Sequence, residues 1–443
     1  MRRLVILLIL FAVMRGVFVL GGPTSGIPTL MLFGFLILAA YSVGELVKPF
    51  GIPKIVGYLI AGILFGPPGL AYVSKPALTE LTPVSNLAIA LIAFLAGAEL
   101  QLSEIRERGA AILKMVSSEL VLTFVAIAGT MVLLRSQLPI LANAPAAEVV
   151  AFSLLFASVA VVHSPAVTMA LLTETRANGP VARYTLGVVL VMDVAVVLLF
   201  SLVLAVARSL APPAGGAEGV QAGAVLWEIG GSVLVGAVLG ACIALYLRFI
   251  SRELFIFGLL MALLGSEVAR ILHVETLLTL LVAGFVAENG GGGRGEDLRH
   301  AMERAAAPVF VVFFALAGAK IDPKAVVPLL PIVVPVVLVR MAGIWGGMQL
   351  GGKWAGLPTN VTGNAWMGLV SQAGVAIGLA TVVADVYPSR GAPLRALLMA
   401  TIAVNETIGP ILFRLGLKRA GELTPANVDA GPSVAAAPTA GAH

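Results

Sequence analysis

RYTLGVVLVMDVAVVLLF, residues 183–200, is a run of membrane-helix character with a single carboxylate, Asp193, near its middle. Placing an aspartate at the centre of a membrane helix costs roughly 2.5–3.5 kcal/mol on insertion scales. Such a residue faces the interior of a bundle and marks an ion pathway or a proton relay. The rest of the chain reads as a scaffold for that acid.

The composition supports the membrane reading. The 443 residues are 59% hydrophobic and only 12% charged, with a mean hydropathy of +1.03, whereas a soluble domain carries about 25% charged residues. The apolar runs are too long for barrel strands, and lipid forces the backbone to satisfy itself in helices. The expected class is therefore an all-α polytopic membrane protein. The net charge of +5 is not a nucleic-acid signal, because the basic residues sit in short loops between apolar runs. The single cysteine, Cys242, excludes an intrachain disulfide and a cysteine-rich metal site.

The chain divides into fourteen apolar segments, 4–20, 27–46, 53–70, 84–101, 112–134, 147–173, 184–207, 224–247, 253–271, 274–288, 304–319, 326–349, 364–386 and 393–413, which predicts 13–14 transmembrane helices. With the N-terminus placed in the cytoplasm, 18 Lys and Arg fall inside and 8 outside, with Arg15 and Arg340 within segments. That bias matches the positive-inside rule and puts the C-terminus in the cytoplasm. Residues 1–26 read as a signal sequence or an extra membrane helix, and the topology favours the helix. Three stretches read as lying outside the membrane: a small-residue external loop over Ser209–Ala222, a cytosolic hinge over Asn289–Glu303, and a tail from Glu422 onward too poor in bulky apolar residues to fold alone.

Polar residues inside the segments narrow the function. His163-Ser164-Pro165 interrupts segment 147–173. Proline removes a donor and clashes with the carbonyl four residues back, and broken helices near the midplane are where transporters hold ions. His163 is an ion-path residue or a satisfied structural one. Arg340, deep in segment 326–349, stays protonated and needs a partner or a wet cavity, although its stem also permits snorkelling. Segment 364–386 carries Gly368, Gly374 and Gly378 beside Ser371-Gln372, which suits either close helix packing or a lining of the ion path. Glu406, after Asn405 and before Gly409-Pro410, is a second interior carboxylate, either a structural partner or part of the path. Glu267 and Arg270 read as an interfacial pair one turn apart.

Segments 112–207 and 326–413 form two triplets of opposite topology, each with a broken or glycine-rich middle helix and a carboxylate, Asp193 or Glu406, in the third. Inverted repeats with crossed discontinuous helices are a secondary-transporter signature.

Several motifs in this order resemble the monovalent cation:proton antiporter superfamily, that is, the sodium/hydrogen exchanger family and Kef-type membrane domains. They are GIPKIVGYLIAGILFGPPGL (Gly51–Leu70), LIAFLAGAEL (Leu91–Leu100), LLVAGFVAEN, PVFVVFFALAGAKID and NETIGPILFRLGLKRAGE, and the resemblance covers about Met31–Gly421. It implies a homodimer in a bacterial inner membrane and a sodium/proton antiporter fold. It implies a dimerisation domain from residues 27–110 and 253–322, core repeats over 111–207 and 323–420, a loop and linker helix over 208–252, and a tail over 421–443. It places the ion-binding aspartate on Asp193 and the basic residue on Arg340. The residue before the aspartate, often polar in the family, is Met192, and the broken helix has His163-Ser164-Pro165 where the exchanger branch often has Thr-Asp-Pro.

The expected activity is exchange of sodium or potassium for protons around Asp193, without a cofactor and without enzymatic chemistry. Asp193, Ser164 and His163 are the expected ion or proton ligands. Arg340 and Glu406 are the expected charge partners, and Met192, Gln372 and Ser371 candidate path-lining residues. Cation and proton compete for one carboxylate, which implies electroneutral one-for-one exchange. The alternatives are a sodium-coupled organic-solute symporter, a channel and a non-transporting membrane sensor.

Overall fold

A computed structural model describes residues 2–21, 28–138, 141–212, 222–250, 252–372 and 375–423. Among them there is no strand. The first third forms α1 (Arg2–Gly21), α2 (Thr29–Val47), α3 (Lys54–Phe65), α4 (Lys75–Glu80), α5 (Thr82–Ala98) and α6 (Leu102–Leu133). Next come α7 (Ala146–Ala160), α8 (Pro165–Thr175), α9 (Pro180–Leu210), α10 (Ala222–Phe249), α11 (Leu254–Ile271) and α12 (Thr276–Gly290). The last third holds α13 (Gly295–Lys320), α14 (Pro323–Val326), α15 (Leu330–Trp354), α16 (Thr359–Ala365), α17 (Val375–Val386) and α18 (Pro388–Arg419).

Among the described residues, 8 helices are long and apolar enough to cross a membrane by themselves. Lys54–Phe65, Thr82–Ala98, Thr276–Gly290 and Val375–Val386 are apolar but shorter.

Helix starts are closed by acidic and amide side chains, some local and some from distant parts of the chain. The Glu174 carboxylate accepts from Lys54 N at 3.1 Å, Asn289 Oδ1 accepts from Leu102 N at 2.7 Å, and Glu275 accepts from Leu277 N at 3.0 Å. Each satisfies a donor that a helix start leaves open. Glu422 does the same for α9, accepting from Val181 N at 2.6 Å and Ala182 N at 3.0 Å. Glu422, placed in the expected unstructured tail, is thus tied to α9, and residues 424–443 lie outside the described residues. The expected external loop is trimmed as well. Helix α9 runs to Leu210, α10 starts at Ala222, and residues 213–221 lie outside the described residues. The hinge reading of Asn289–Glu303 is corrected. Only the glycine run turns, with Gly292 at φ 66° and Gly293 at φ 87°, while 295–303 is the first part of α13. Glu296 and Asp297 in that first turn favour the helix dipole. Glu267 and Arg270 form the expected exposed pair at 2.6 Å.

The helices pack in two groups. In one, α6 lies along α15, α7 packs on α9, and α17 on α18. In the other, α3 packs on α2 and α13, and α12 on α5 and α10. The α6–α15 approach is close because α15 presents glycines to α6. A Cβ on Gly347 would lie 2.3 Å from Glu119 Cα, and one on Gly343 2.9 Å from Thr123 Cα. Glu119 is thereby pressed against α15, three helices away in sequence from Asp193.

Candidate functional site

The break between α7 and α8 is built locally. Pro165 opens α8, Ser164 precedes it in extended backbone (φ −112°, ψ 104°), and its hydroxyl oxygen accepts from Val167 N at 3.2 Å. Thr168 donates back to the Ser164 carbonyl at 3.1 Å. The second break separates α16 from α17. A 3-10 turn, Trp366–Leu369, ends α16, and α17 resumes at Val375. Each break strands carbonyls at the end of its first half-helix, where no amide follows to take them.

Arg340 takes those carbonyls. Its side chain is fully buried. Nε donates to Ala160 O at 2.6 Å, Nη2 to Val162 O at 2.8 Å, Nη1 to Val370 O at 2.6 Å, and Nη2 more distantly to Leu369 O at 3.3 Å. One planar guanidinium, always charged and carrying five donors, so ties both interrupted helices together. Gln372 adds a donor, Nε2 to Ala160 O at 2.8 Å, and its Oε1 accepts from Asn405 Nδ2 at 2.7 Å.

The charge of Arg340 is balanced through an imidazole. Arg340 Nη2 is 3.2 Å from His163 Nδ1, and His163 Nε2 is 3.4 Å from Glu119 Oε2. A guanidinium only donates, so Nδ1 accepts and the ring proton sits on Nε2, facing the carboxylate. Glu119 Oε1 accepts from the Thr123 hydroxyl at 2.8 Å. All three residues are fully buried. The sequence reading missed Glu119. It lies in KMVSSELVLTFV near the start of an apolar segment, where a carboxylate resembles an interfacial residue. The signal that finds it is the full helix, Leu102–Leu133, in which Glu119 falls near the middle.

Asp193 sits elsewhere. It lines a cleft at the seam of the two packing groups. Ile92, Ala96, Leu281 and Phe313 form one wall, and Ser164, Asp193 and Val375 the other. Asp193 and Ser164 are the polar side chains in that lining. Asp193 Oδ1 is buried without a hydrogen-bond partner among the described residues. The first turns of α8 and α17, near Pro165 and Val375, border the same space, and the positive ends of half-helices favour an anion there.

The other expected site residues divide. Ser164 meets Asp193 at the cleft. His163 is turned toward Arg340 and Glu119 and is absent from the cleft lining. Met192 is absent from the cleft lining. One position before Asp193, it is rotated by about 100° and is fully buried in the core. Ser371 and Gln372 belong to the crossing rather than the cleft, and Glu406 is buried on α18.

Comparison with known proteins agrees with this geometry. The model of the sodium/hydrogen exchanger family, transmembrane region, matches residues 35–416. The ammonium/H(+) antiporter subunit AmhT of Alkalihalophilus pseudofirmus is 23% identical over 392 residues, spanning 88% of this chain and 93% of that protein. The sodium proton antiporter MjNhaP1 from Methanocaldococcus jannaschii, solved at pH 8, superposes with a TM-score of 0.63 at 15% identity, covering 89% of this chain and 98% of that one. An electron-microscopy structure of MjNhaP1 superposes with a TM-score of 0.66 at 15% identity, covering 90% and 100%. These likenesses carry the fold.

Proposed function

Because the chain belongs to the sodium/hydrogen exchanger family, a family of cation:proton antiporters, we propose that it exchanges one monovalent cation for one proton by alternating access around Asp193. The observation that carries this reading is the position of Asp193. It is an unpartnered carboxylate facing a cleft at the seam between two helix groups. A cation or a proton neutralises it there, and not both at once. If the group holding Asp193 slides past the other only when the acid is neutral, exchange follows without a channel or a covalent step. Arg340 holds the two broken helices as one unit through that motion, since it bridges carbonyls of both.

The group with α6–α9 and α15–α18 is the moving core in this reading, and the group with α3, α5, α10, α12 and α13 the scaffold that dimerises. Sodium and potassium are the expected cargoes. The similarity to an ammonium/H(+) antiporter subunit adds ammonium, and the sparse oxygen set of the cleft favours it. Ammonium brings its own donors to one carboxylate, whereas an alkali ion needs more oxygens than Asp193 and Ser164 provide. Family membership weighs against solute symport, a channel and a sensor.

The test is purified protein in liposomes under a pH gradient, with lumenal pH followed by a dye and sodium, potassium or ammonium added in turn. Asp193→Asn liposomes correct for ammonia crossing the bilayer by itself. Cation-dependent proton movement that Asp193→Asn abolishes is expected. Movement that survives the substitution refutes the site, and no response to any cation refutes the exchange.

A further inference from the structure

Glu406 is a buried carboxylate with no protein partner. It is 3% exposed, and no described residue makes a hydrogen bond or an ion pair with it. Arg340, the other buried charge of opposite sign in this region, is committed to the carbonyls of Ala160, Val162, Leu369 and Val370 and to His163. An ionised carboxylate left alone in such surroundings costs several kcal/mol. Glu406 is also outside the cleft lining, so the cargo at Asp193 does not serve it.

Two more unpaired oxygens belong to the same stretch of α18 and to the segment packed on it. Asn405 Oδ1 and Ser371 Oγ are buried without hydrogen-bond partners, like Glu406 Oε1. The free atom of Asn405 is its oxygen for a structural reason. Gln372 Nε2 is held by Ala160 O, which turns Gln372 Oε1 toward Asn405 and makes the Asn405 amide nitrogen the donor. The chain of donors thus fixes both amide orientations. The oxygen of Asn405 is left facing away from Gln372.

Gly409 brings the three together. A Cβ there would lie 2.0 Å from Ser371 Oγ and 2.7 Å from Ser371 N, so Ser371 sits directly on the glycine. At about 100° per residue, Gly409 lies about 40° around the helix from Asn405 and about 60° from Glu406 on the other side. Ser371 is therefore flanked by the amide and the carboxylate within one turn of α18.

We propose that Glu406, Asn405 and Ser371 form a second monovalent-cation site, separate from Asp193. The inference rests on the reading that the protein handles monovalent cations. A proton alone fits the arrangement poorly. A protonated Glu406 needs an acceptor within hydrogen-bond reach, and no hydrogen bond joins the three groups. A dehydrated cation takes oxygens in place of its hydration shell, as in ion filters, and neutralises the carboxylate. The site sits where α18 crosses the second helix break, at the position in the second repeat that Asp193 holds in the first. Its occupant would brace the crossing that Arg340 braces from the other side.

The experiment is thermal unfolding of the purified full chain in detergent. Sodium, potassium or ammonium chloride is titrated at constant ionic strength, with N-methylglucamine chloride as the balance. Asp193→Asn is expected to keep a saturable, cation-dependent rise in midpoint. Ser371→Ala in that background raises the half-saturating concentration by about tenfold, equivalent to about 1.4 kcal/mol, and Glu406→Gln removes the dependence. Should Glu406→Gln fail to fold, the Ser371→Ala shift decides. Three results overturn the proposal: no cation dependence in any variant, loss of all dependence in Asp193→Asn, or residual dependence that ignores Ser371 and Glu406. The liposome exchange assay separates this from the proposed function. Asp193-dependent exchange without residual binding sinks the second site alone, and Glu406-dependent binding without exchange sinks the transport reading alone.

Discussion

Glu119→Gln removes one charge from the centre of the protein and almost nothing else. The amide keeps an oxygen for the Thr123 hydroxyl, now at 2.8 Å from Glu119 Oε1, and nearly the same volume. The carboxylate is 3.4 Å from one nitrogen of His163, and Arg340 is 3.2 Å from the other. The two charges are then no more than about 9 Å apart, and at an effective dielectric of about 20 they attract by about 2 kcal/mol. The expected loss of stability is of that size, smaller than the roughly 3–5 kcal/mol for breaking a buried pair in direct contact, because the ring spaces the charges. Arg340→Met loses more, since it also strands the carbonyls of Val162 and Val370, each about 1 kcal/mol or more, and leaves Ala160 O to Gln372 alone. The assay is denaturant unfolding in mixed micelles over the full double-mutant cycle. Residues in one network couple, so the double variant is expected to lose about 2 kcal/mol less than the two single losses together. Strict additivity, or an unchanged stability for Glu119→Gln, refutes the reasoning.

Competition for one carboxylate makes apparent affinity depend on pH, as it does whenever a ligand must be deprotonated to bind. The apparent KM for the cation is expected to rise by up to about tenfold for each unit of pH lowered, at constant maximal rate, and initial rates in liposomes at three pH values check this. One-for-one exchange moves no net charge. A membrane-potential dye is therefore expected to stay silent during Asp193-dependent exchange, and a potential that builds with each cation moved refutes the stoichiometry. Gly347→Ala puts a methyl group 2.3 Å from Glu119 Cα and 2.9 Å from its backbone nitrogen. The two helices must part, for a loss of about 1–3 kcal/mol. Gly346→Ala next to it meets only the flexible end of Leu122 and is expected to be nearly neutral, so equal midpoints for the two variants contradict the close approach.

Much of the protein was legible one segment at a time. Hydropathy located the helices, because lipid leaves the backbone no other way to satisfy itself. The proline of His163-Ser164-Pro165 marked the first break. A lone carboxylate in the run 183–200 singled out Asp193 as the candidate ion ligand, the residue that lines the cleft. The order of the motifs gave the family that the match over residues 35–416 bears out.

The partners of these residues were decided by the tertiary structure. Spacing along one helix sets which residues share a face, yet says nothing about which face of another helix it meets. Arg340 finds carbonyls at 160 and 370, His163 turns from the cleft to a guanidinium, and Glu119 enters the network only because glycines on α15 admit α6 so closely. Asp193 and Glu406 looked alike in sequence as acids in the third helix of each triplet. Packing separates them, setting one at the cleft and burying the other away from it. The burial of a charge is a property of everything that surrounds it, and that is fixed only when helices far apart in the chain come together.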